Sequence, residues 1–438
     1  MKKSLALLFV LVLFMFSFTC ISKPVNAEPR TIVVPDEYST IQEAIDVADD
    51  DDTVFVKKGT YQEQVLEINK SILVLGEDKD KTIINFDPPV VNYTFIYYIL
   101  QAHAIAITID ANGVKFSGFT INMPTDMDSL GGINATGDGI EIVSNNLGRE
   151  GNVRLNGKSA NISENSIPAG LNIIGDNHTI MNNLLESGLE TQGVYNRIAG
   201  NTIGDVVLNS SFNLFFNNSL AWLKMWYCDS NFISNNTMDR MDMGTPCFNN
   251  TVSKNRITGP GLWGMLIGQG SYNVFHDNLI SNFMDGYGIA LGGNHFIAEN
   301  NIFYRNILIN NDMHVGANWE ILGAGNIWDN GEEGNYWDNY AGTDDDARGL
   351  VSFIFGQDNY PLMFPFDIDN VDIVLPEWAG GPPDPSPSPS HSSSLQETEI
   401  FTTTLLIGSV VAVATVVGLG LLVYFKKRQS SKPRASAF

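Results

Sequence analysis

The chain has 438 residues and carries 25 Lys and Arg against 49 Asp and Glu, which gives a formal net charge of −24 at pH 7. An acid excess of this size repels a phosphate backbone, so the composition argues against a nucleic-acid partner. The 40 glycines, together with abundant Asn, favour turns and bends over long helices.

Residues 1–27 have the pattern of a secretory signal peptide. Lys2 and Lys3 precede an apolar run from Leu5 to Phe18, and small residues end the segment at Ala27. The sequence therefore predicts a mature protein that begins at residue 28 and is exported.

The mature chain opens with a strand pattern, a short helix and further strands. Thr31–Val34 predicts a strand, and Ser39 with Gln42 forms a possible capping box for a helix with one apolar face. Thr53–Val56 and Ile72–Gly76 predict the next strands. We expect the helix to close the open end of the structure that these strands form.

One eight-residue phrase, roughly Asn-x-apolar-x-x-Asn-x-apolar, recurs at intervals of about twenty residues. Its copies are Ala160–Ile167, Asn177–Leu184, Asn196–Ile203, Asn213–Leu220, Asn231–Met238, Asn250–Ile257, Asn273–Ile280 and His295–Ile302. A repeat this short, with apolar residues two apart and no helical periodicity, is typical of one coil of a β-solenoid.

The sixth position of each phrase is Asn, and stacked coils would bring these side chains within hydrogen-bonding distance of one another. The sequence predicts an inward ladder of Asn165, Asn182, Asn201, Asn218, Asn236, Asn255, Asn278 and Asn300.

Two cysteines occupy equivalent places in successive phrases. Cys228 and Cys247 each precede a ladder Asn by the same interval, and the spacing of stacked strands suits a disulfide. Export favours oxidation, so we predict a Cys228–Cys247 bridge, with two buried thiols as the alternative.

The C-terminal region changes composition twice. Residues 379–399 are rich in Pro and Ser and predict an extended stalk. Residues 400–425, with the uncharged run Leu405–Phe425, predict a transmembrane helix, and residues 426–438 a basic cytoplasmic tail. The sequence thus predicts a single-pass protein of the cell membrane with its ectodomain outside.

Three segments carry a resemblance to a known family. The run from Val34 to Gly76 resembles the opening of right-handed parallel β-helix proteins of the pectin-lyase-like superfamily. The Asn phrases resemble their NosD-type, carbohydrate-binding and sugar-hydrolase members. Gly334–Asp344 and Asp358–Leu362 resemble the segments that close NosD-like solenoids. The resemblance implies an all-β, right-handed parallel β-helix over residues 28–335, with a C-terminal cap over residues 336–378.

Several polar residues in the repeats are candidates for an enzyme active site. Paired carboxylates on neighbouring coils are the requirement for glycoside hydrolysis. The candidates are Glu186, Glu190, Asp205, Asp239, Arg240 and Asp242. No catalytic residue can be assigned from the sequence.

Two kinds of metal site are alternative interpretations of the sequence. Met238, Met241 and Met243 have a spacing that suits Cu(I), the metal implied by NosD relatives, although Met238 falls at an inward apolar position. Asp344 and Asp346 suggest calcium in a loop that can equally be solvated.

Aromatic side chains and glycosylation sequons complete the candidates. The aromatic pool for stacking on sugar rings is Trp222, Trp226, Tyr227, Trp263, Tyr287, Trp319, Trp328 and Trp337. The sequons begin at Asn69, Asn92, Asn134, Asn161, Asn177, Asn209, Asn217, Asn235 and Asn249.

The sequence predicts a non-catalytic surface protein that binds a polysaccharide or a neighbouring surface glycoprotein, in a glycan-binding, adhesion or envelope role. A surface-displayed polysaccharide lyase or glycoside hydrolase is the first alternative, and a NosD-like copper accessory protein is the second.

Overall fold

The computed structural model describes residues 28–87, 105–123, 131–149, 151–292, 298–317, 325–342, 351–353 and 356–380. The predicted signal peptide, membrane helix and cytoplasmic tail lie outside these residues, as does the predicted stalk beyond residue 380. Asn92, Trp319, Asp344 and Asp346 also lie outside them. Among the described helices, none has the length and hydropathy needed to cross a membrane.

The chain folds into a parallel β-solenoid. Each coil adds one strand to each of two long sheets, and neighbouring strands of a sheet come from successive coils in parallel register. This topology follows from the repeat: a single coil has too little apolar surface to fold alone, so coils stack and bury a continuous core.

Thirteen described strands form sheet 1. They are β1 (Thr31–Val34), β2 (Thr53–Val56), β5 (Leu73–Gly76), β8 (Lys115–Ser117), β11 (Glu141–Val143), β14 (Asn161–Ser163), β16 (Thr179–Met181), β18 (Arg197–Ala199), β20 (Leu214–Phe216), β23 (Phe232–Ser234), β26 (Thr251–Ser253), β30 (Val274–His276) and β33 (Ile302–Tyr304).

Sixteen described strands form sheet 2. They are β4 (Leu66–Ile68), β7 (Ile105–Asp110), β10 (Gly131–Thr136), β13 (Val153–Asn156), β15 (Leu171–Ile174), β17 (Leu184–Gln192), β19 (Thr202–Leu208), β21 (Ser219–Met225), β24 (Thr237–Met243), β27 (Arg256–Thr258), β28 (Trp263–Ile267), β31 (Leu279–Ser281), β32 (Tyr287–Leu291), β34 (Ile307–Ile309), β35 (Met313–Ala317) and β36 (Tyr336–Trp337).

Shorter sheets complete the described strands. A four-stranded sheet near the N-terminus contains β3 (Gly59–Glu63), β6 (Thr82–Phe86), β9 (Thr120–Asn122) and β12 (Asn146–Leu147). The cysteine sheet contains β22 (Cys228–Asp229), β25 (Cys247–Phe248) and β29 (Gly270–Ser271). An antiparallel hairpin contains β37 (Val351–Phe353) and β38 (Gly356–Asp358).

Within the described residues the α-helix is α1 (Ile41–Val47), which contacts β1 to β4. It buries Ile41, Ala44 and Ile45 against these first strands. The capping box is formed by Thr40 and Glu43, one residue after the predicted pair Ser39 and Gln42. The predicted capping box was wrong by one residue. Ser39 and Thr40 are adjacent, as are Gln42 and Glu43, so two capping boxes fit the sequence equally well.

The core runs along the inside of the solenoid. Inward positions alternate with outward ones on each strand, as β1 and β2 show with every second residue buried. Near the C-terminal end the inward rings stack face to face: Phe275 on Phe303 with centroids 4.8 Å apart, and Phe303 on Trp328 at 4.3 Å. The in-register stacking of coils therefore extends to the side chains.

A ladder of buried Asn side chains runs along one corner of the solenoid. In each rung the backbone N–H and the Nδ2 of one Asn donate to the Oδ1 of the next, and the N–H···Oδ1 distances are 2.9 to 3.2 Å. Its members are Asn145, Asn165, Asn183, Asn201, Asn218, Asn236, Asn255, Asn278, Asn306 and Asn335, and Asp358 accepts the last rung.

Two of the eight predicted ladder positions were wrong. Asn182 and Asn300 adopt left-handed backbone conformations, with φ of 56° and 57°, at the corner residue that precedes an inward Asn. Their neighbours Asn183 and Asn301 point inward instead. The last phrase is therefore Asn301–Leu308, and its sixth position is Asn306.

A second ladder, which the sequence analysis did not separate from the first, follows the other corner. It uses the first position of each phrase, starts at His178 and continues through Asn196, Asn213, Asn231, Asn250, Asn273, Asn301 and Asn326. Both corners have a left-handed residue before the inward one, a conformation that Asn tolerates better than most residues. The Asn-rich composition thus serves both the turns and the ladders.

The two cysteines are register partners, as the repeat predicts. Cys228 pairs with Cys247 between β22 and β25, both are buried, and their Sγ atoms lie 2.7 Å apart. The structure holds both as thiols. The disulfide itself stays a prediction.

The chain turns back along the solenoid after its last coil. Residues 363–380, here called the strap, include two short 3₁₀ helices, Ile368–Asn370 and Glu377–Gly380. The guanidinium of Arg305 lies over the Phe366 ring, and Trp378 packs edge-on against Phe212, several coils nearer the N-terminus. The region predicted as a C-terminal cap therefore includes a segment that lies along the side of the solenoid.

Candidate functional site

The outer face of sheet 2 carries two parallel rows of side chains in strand register. Strand geometry points every second residue outward, and stacking repeats each outward position about every 4.8 Å along the solenoid. The first row is Arg154, Asn172, Glu190, Val207, Lys224 and Asp242. The second row is Gly188, Asp205, Trp222 and Arg240.

These rows line a groove with two adjoining parts. The larger part has a volume of about 320 Å³ and is lined by Arg154, Asn172 and Glu190 among others. The smaller part, about 200 Å³, is lined by Trp222, Arg240, Asp239, Pro260 and neighbouring residues. Asp205 lines both parts, so the groove is continuous across at least six strands.

Trp222 lies at the centre of the smaller part, between two cations. Lys224 Nζ is 3.8 Å and Arg240 Cζ 3.5 Å from the ring centroid. Cation–π attraction of this kind contributes about 0.5–2 kcal/mol and fixes both long side chains. The indole NH of Trp222 is buried and has no acceptor among the described residues.

Asp242 is a buried acid beside the groove. Its residue surface is 8% exposed, and its Oδ1 accepts from the indole NH of Trp263 at 2.9 Å. Burial raises the pKa of Asp242 above its ordinary value, although the Trp263 hydrogen bond and the charge of Arg240 act in the opposite direction. A carboxyl group that favours its protonated form more than a solvated Asp does therefore lies beside the groove.

The other acids of the groove are paired or solvated. Asp205 forms an ion pair with Lys224, with Oδ2 and Nζ 2.8 Å apart. Glu190 accepts from Asn172 Nδ2 at 3.0 Å. Arg154 lines the groove, and its guanidinium has no ion-pair partner among the described residues.

The structure brings together five of the six polar candidates from the sequence. Glu190, Asp205, Asp239 and Arg240 line the groove, and Asp242 lies beside it. Glu186 is exposed and is not among the lining residues.

Sequence analysis missed three residues of the groove: Arg154, Asn172 and Lys224. The sequence signal for these residues was the alternation of outward and inward positions along the strands of different coils. It is weak because each belongs to a variable outward position rather than to the repeated phrase.

Residues 224–342 match the family model described as "Periplasmic copper-binding protein (NosD)". Over these residues, which make up less than a third of the chain, the parallel β-solenoid is similar to the NosD family. No curated protein matched the chain in sequence.

Solved β-helix structures align with the NosD-like chain at low identity. The Azotobacter vinelandii mannuronan C-5 epimerase AlgE6 A-module is 12% identical, with a TM-score of 0.44, over 66% of this chain and 92% of that one. The catalytic domain of a GH87 α-1,3-glucanase in complex with tetrasaccharides is 12% identical, with a TM-score of 0.45, over 72% and 70%. The GH136 lacto-N-biosidase from Eubacterium ramulus is 11% identical, with a TM-score of 0.35, over 68% and 67%.

The residues of the NosD-like region do not fit a copper site open to solvent. Met238, Met241 and Met243 are each at most 1% exposed and point into the core, where Met241 is in register with Leu223 and Met265. Among the residues that the structure describes, no group of three or more His, Cys, Asp or Glu side chains is placed to bind a metal ion. Core packing accounts for these methionines, and copper binding by them stays a prediction.

The aromatic residues divide into three classes. Trp222 and Trp263 belong to the groove region, and Tyr287 is the register partner of Trp263. Trp226 and Tyr227, 41% and 68% exposed, follow directly on the strand that carries Trp222. Trp328 and Trp337 are buried at the C-terminal end. Only the first two classes are available to a ligand.

The Asn side chains of the described glycosylation sequons differ in solvent exposure. Asn69, Asn217 and Asn249 are exposed, and the others are half-buried: Asn134, Asn161, Asn177, Asn209 and Asn235. Four occupy left-handed corner positions, where the side chain points away from the core: Asn177, Asn217, Asn235 and Asn249. Their use as glycan acceptors stays a prediction.

Proposed function

We propose that this protein binds a polysaccharide along the sheet 2 groove, outside the cytoplasm. The observation that supports the proposal is the double row of outward positions, most of them polar, that lines the groove around Trp222.

A polysaccharide matches this surface in shape and in chemistry. The six positions of the first row extend over about 24 Å along the solenoid. Five of these positions carry a guanidinium, amide, carboxylate or ammonium group, so the row offers both donors and acceptors to the hydroxyls of an extended glycan. The exposed Trp226 prolongs the surface beyond Lys224 and offers an aromatic face to a sugar ring.

The location outside the cytoplasm rests on the signal-peptide pattern and on the periplasmic description of the matched family. A stalk and a single membrane helix that display the solenoid at the cell surface belong to the same proposal. They rest on residues 379–425, read from the sequence.

Retention on immobilised polysaccharides tests the binding proposal. The full-length protein is passed over a panel of neutral and acidic polysaccharides, together with Trp222→Ala and Arg154→Gln. Tyr272→Ala, on an exposed corner residue outside the groove lining, serves as the matched control. We expect retention by wild type and by the control, and weaker retention by both groove variants. Equal retention by all four proteins would place the binding surface elsewhere.

Asp242 favours polysaccharide cleavage as the second candidate function. A carboxyl group with a raised pKa and an ion-paired carboxylate two strands away in the same sheet are candidates for a general acid and its partner in glycoside hydrolysis. Asp242 would protonate the leaving glycosidic oxygen, and Asp205 would assist the attacking water. Incubation with the same polysaccharides and mass spectrometry of soluble products separates the two functions. Products made by wild type but not by Asp242→Asn would identify an enzyme, whereas retention without products identifies a binding protein.

A further inference from the structure

A second polar pocket lies on the outer face of sheet 1, away from the groove. Its volume is about 640 Å³, within the range of small-molecule sites. One wall consists of side chains from successive coils, including Lys254, His276 and Tyr304. The strap forms the other wall with Val371, Asp372, Val374, Leu375 and Pro376.

The strap is attached to the solenoid by polar contacts at the edge of this pocket. Lys254 Nζ donates to the carbonyl oxygens of Val371 and Asp369 at 2.5 and 3.3 Å. Arg256 forms an ion pair with the Asp369 carboxylate at 2.7 Å. The pocket is thus a built space between two fixed walls.

Asp277 determines which ring nitrogen of His276 faces a hydrogen-bond acceptor. Its carboxylate is nearly buried and lies 2.7 Å from both His276 Nδ1 and Arg305 Nε. Burial alone would raise the pKa of Asp277, but the hydrogen bonds from His276 and Arg305 outweigh it and lower the pKa. An ionised carboxylate only accepts, so Nδ1 of His276 carries the proton and, in the neutral ring, Nε2 is an acceptor.

The carboxylates that line the pocket outnumber its cations. Arg305 bonds both Asp277 and Glu333, and Lys254 bonds the strap carbonyls. Asp372 adds a carboxylate that has no ion-pair partner among the described residues. An anionic ligand would therefore meet repulsion without a free cation to bind it.

Besides the Asp372 carboxylate, the pocket contains neutral hydrogen-bonding groups without a described partner. They are Nε2 of His276 and the hydroxyls of Tyr304 and Thr251. The rings of His276 and Tyr304 are stacked, with centroids 5.1 Å apart and planes 11° from parallel, which fixes the direction of both polar atoms. An acceptor and hydroxyls held in a fixed geometry beside a carboxylate suit a ligand rich in hydroxyl groups.

We propose that the pocket binds a neutral sugar residue, separately from the polysaccharide groove. The strap contributes the apolar wall that contacts the C–H face of the ring, and His276, Tyr304 and Asp372 accept or donate hydrogen bonds to its hydroxyls.

Saturation-transfer NMR on the full-length protein tests this site. The neutral probes are glucose, galactose, mannose and N-acetylglucosamine, and the anionic probes are glucuronate and glucose 6-phosphate. Tyr304→Phe keeps its ring and removes one hydroxyl, whereas His276→Phe keeps an aromatic ring but removes both ring nitrogens, including the one that contacts Asp277. Tyr272→Ala, outside the lining of both the pocket and the groove, is the control, and Trp222→Ala tests whether the signal comes from the groove. Each preparation is first matched to wild type in thermal midpoint.

We expect transfer to at least one neutral sugar and none to the anions. The loss of one hydrogen bond should weaken binding of that sugar by about five- to tenfold in Tyr304→Phe, and His276→Phe should weaken it at least as much, with Tyr272→Ala unchanged. Transfer to anions only, absence of transfer to every neutral sugar, or wild-type binding by both pocket variants would overturn the proposal. Loss of binding in Trp222→Ala alone would assign the sugar to the groove instead.

Discussion

Asn218→Ala replaces a single ladder residue. It should lower the free energy of unfolding by far more than the small change in side-chain size suggests. Asn218 Nδ2 donates to the carbonyl oxygens of Ile198 and Phe216 and to Asn236 Oδ1, at 3.0 to 3.1 Å. Its Oδ1 accepts from the backbone N–H and the Nδ2 of Asn201, both at 3.0 Å. Alanine removes all five hydrogen bonds.

The magnitude follows from what remains buried without a partner. The N–H of Asn201 loses its acceptor and the carbonyl of Ile198 loses this donor, in a region closed to water. Each buried polar group left unsatisfied costs about 1–3 kcal/mol, so we expect a loss of about 2–6 kcal/mol in the free energy of unfolding. Typical surface substitutions change it by no more than about 0.5 kcal/mol.

Equilibrium urea unfolding of the full-length protein measures this loss. The control is Asn217→Gly, at the adjacent exposed corner position, where φ is 56° and glycine fits the backbone. Amide hydrogen exchange at Asn201 gives a local readout and should accelerate in Asn218→Ala alone. If Asn218→Ala loses no more stability than Asn217→Gly, the ladder does not stabilise the fold in the way argued here.

Three further predictions follow from buried groups. His178→Asn should raise the urea midpoint, because the buried Nε2 of His178 has no described acceptor and an amide extends the second ladder by one rung. The intact mass of the non-reduced protein should rise by two hydrogens on reduction if Cys228 and Cys247 are bridged, and an unchanged mass would establish two thiols. Asp242→Asn should gain stability over wild type as the pH rises above about 4, because the folded-state pKa of Asp242 is raised and its favourable contribution is lost as it ionises. A constant difference between the two proteins from pH 3 to pH 8 would contradict that pKa.

The repeat determined the fold because its physical requirements are local and periodic. Apolar residues two apart and Asn at a fixed place recur in nearly every coil, so stacking in parallel register was predictable without coordinates. The same regularity predicted that Cys228 and Cys247 are partners. Where two Asn are consecutive, as at Asn182–Asn183, the pattern fits both registers, and only the left-handed corner decides which side chain points inward.

The functional surfaces depended on tertiary structure because their residues do not repeat. Arg154 and Arg240 are far apart in sequence, and they share one groove only because outward positions of successive coils align. The position of the strap is even harder to predict from the sequence. Asp369 lies more than a hundred residues after Arg256 and reaches it only because the chain reverses along the solenoid. The sequence by itself determined the stacked coils, the inward Asn and the likeness to NosD-type proteins. The tertiary structure decided which polar residues meet, since those contacts join non-repeating positions across coils and no local periodicity encodes them.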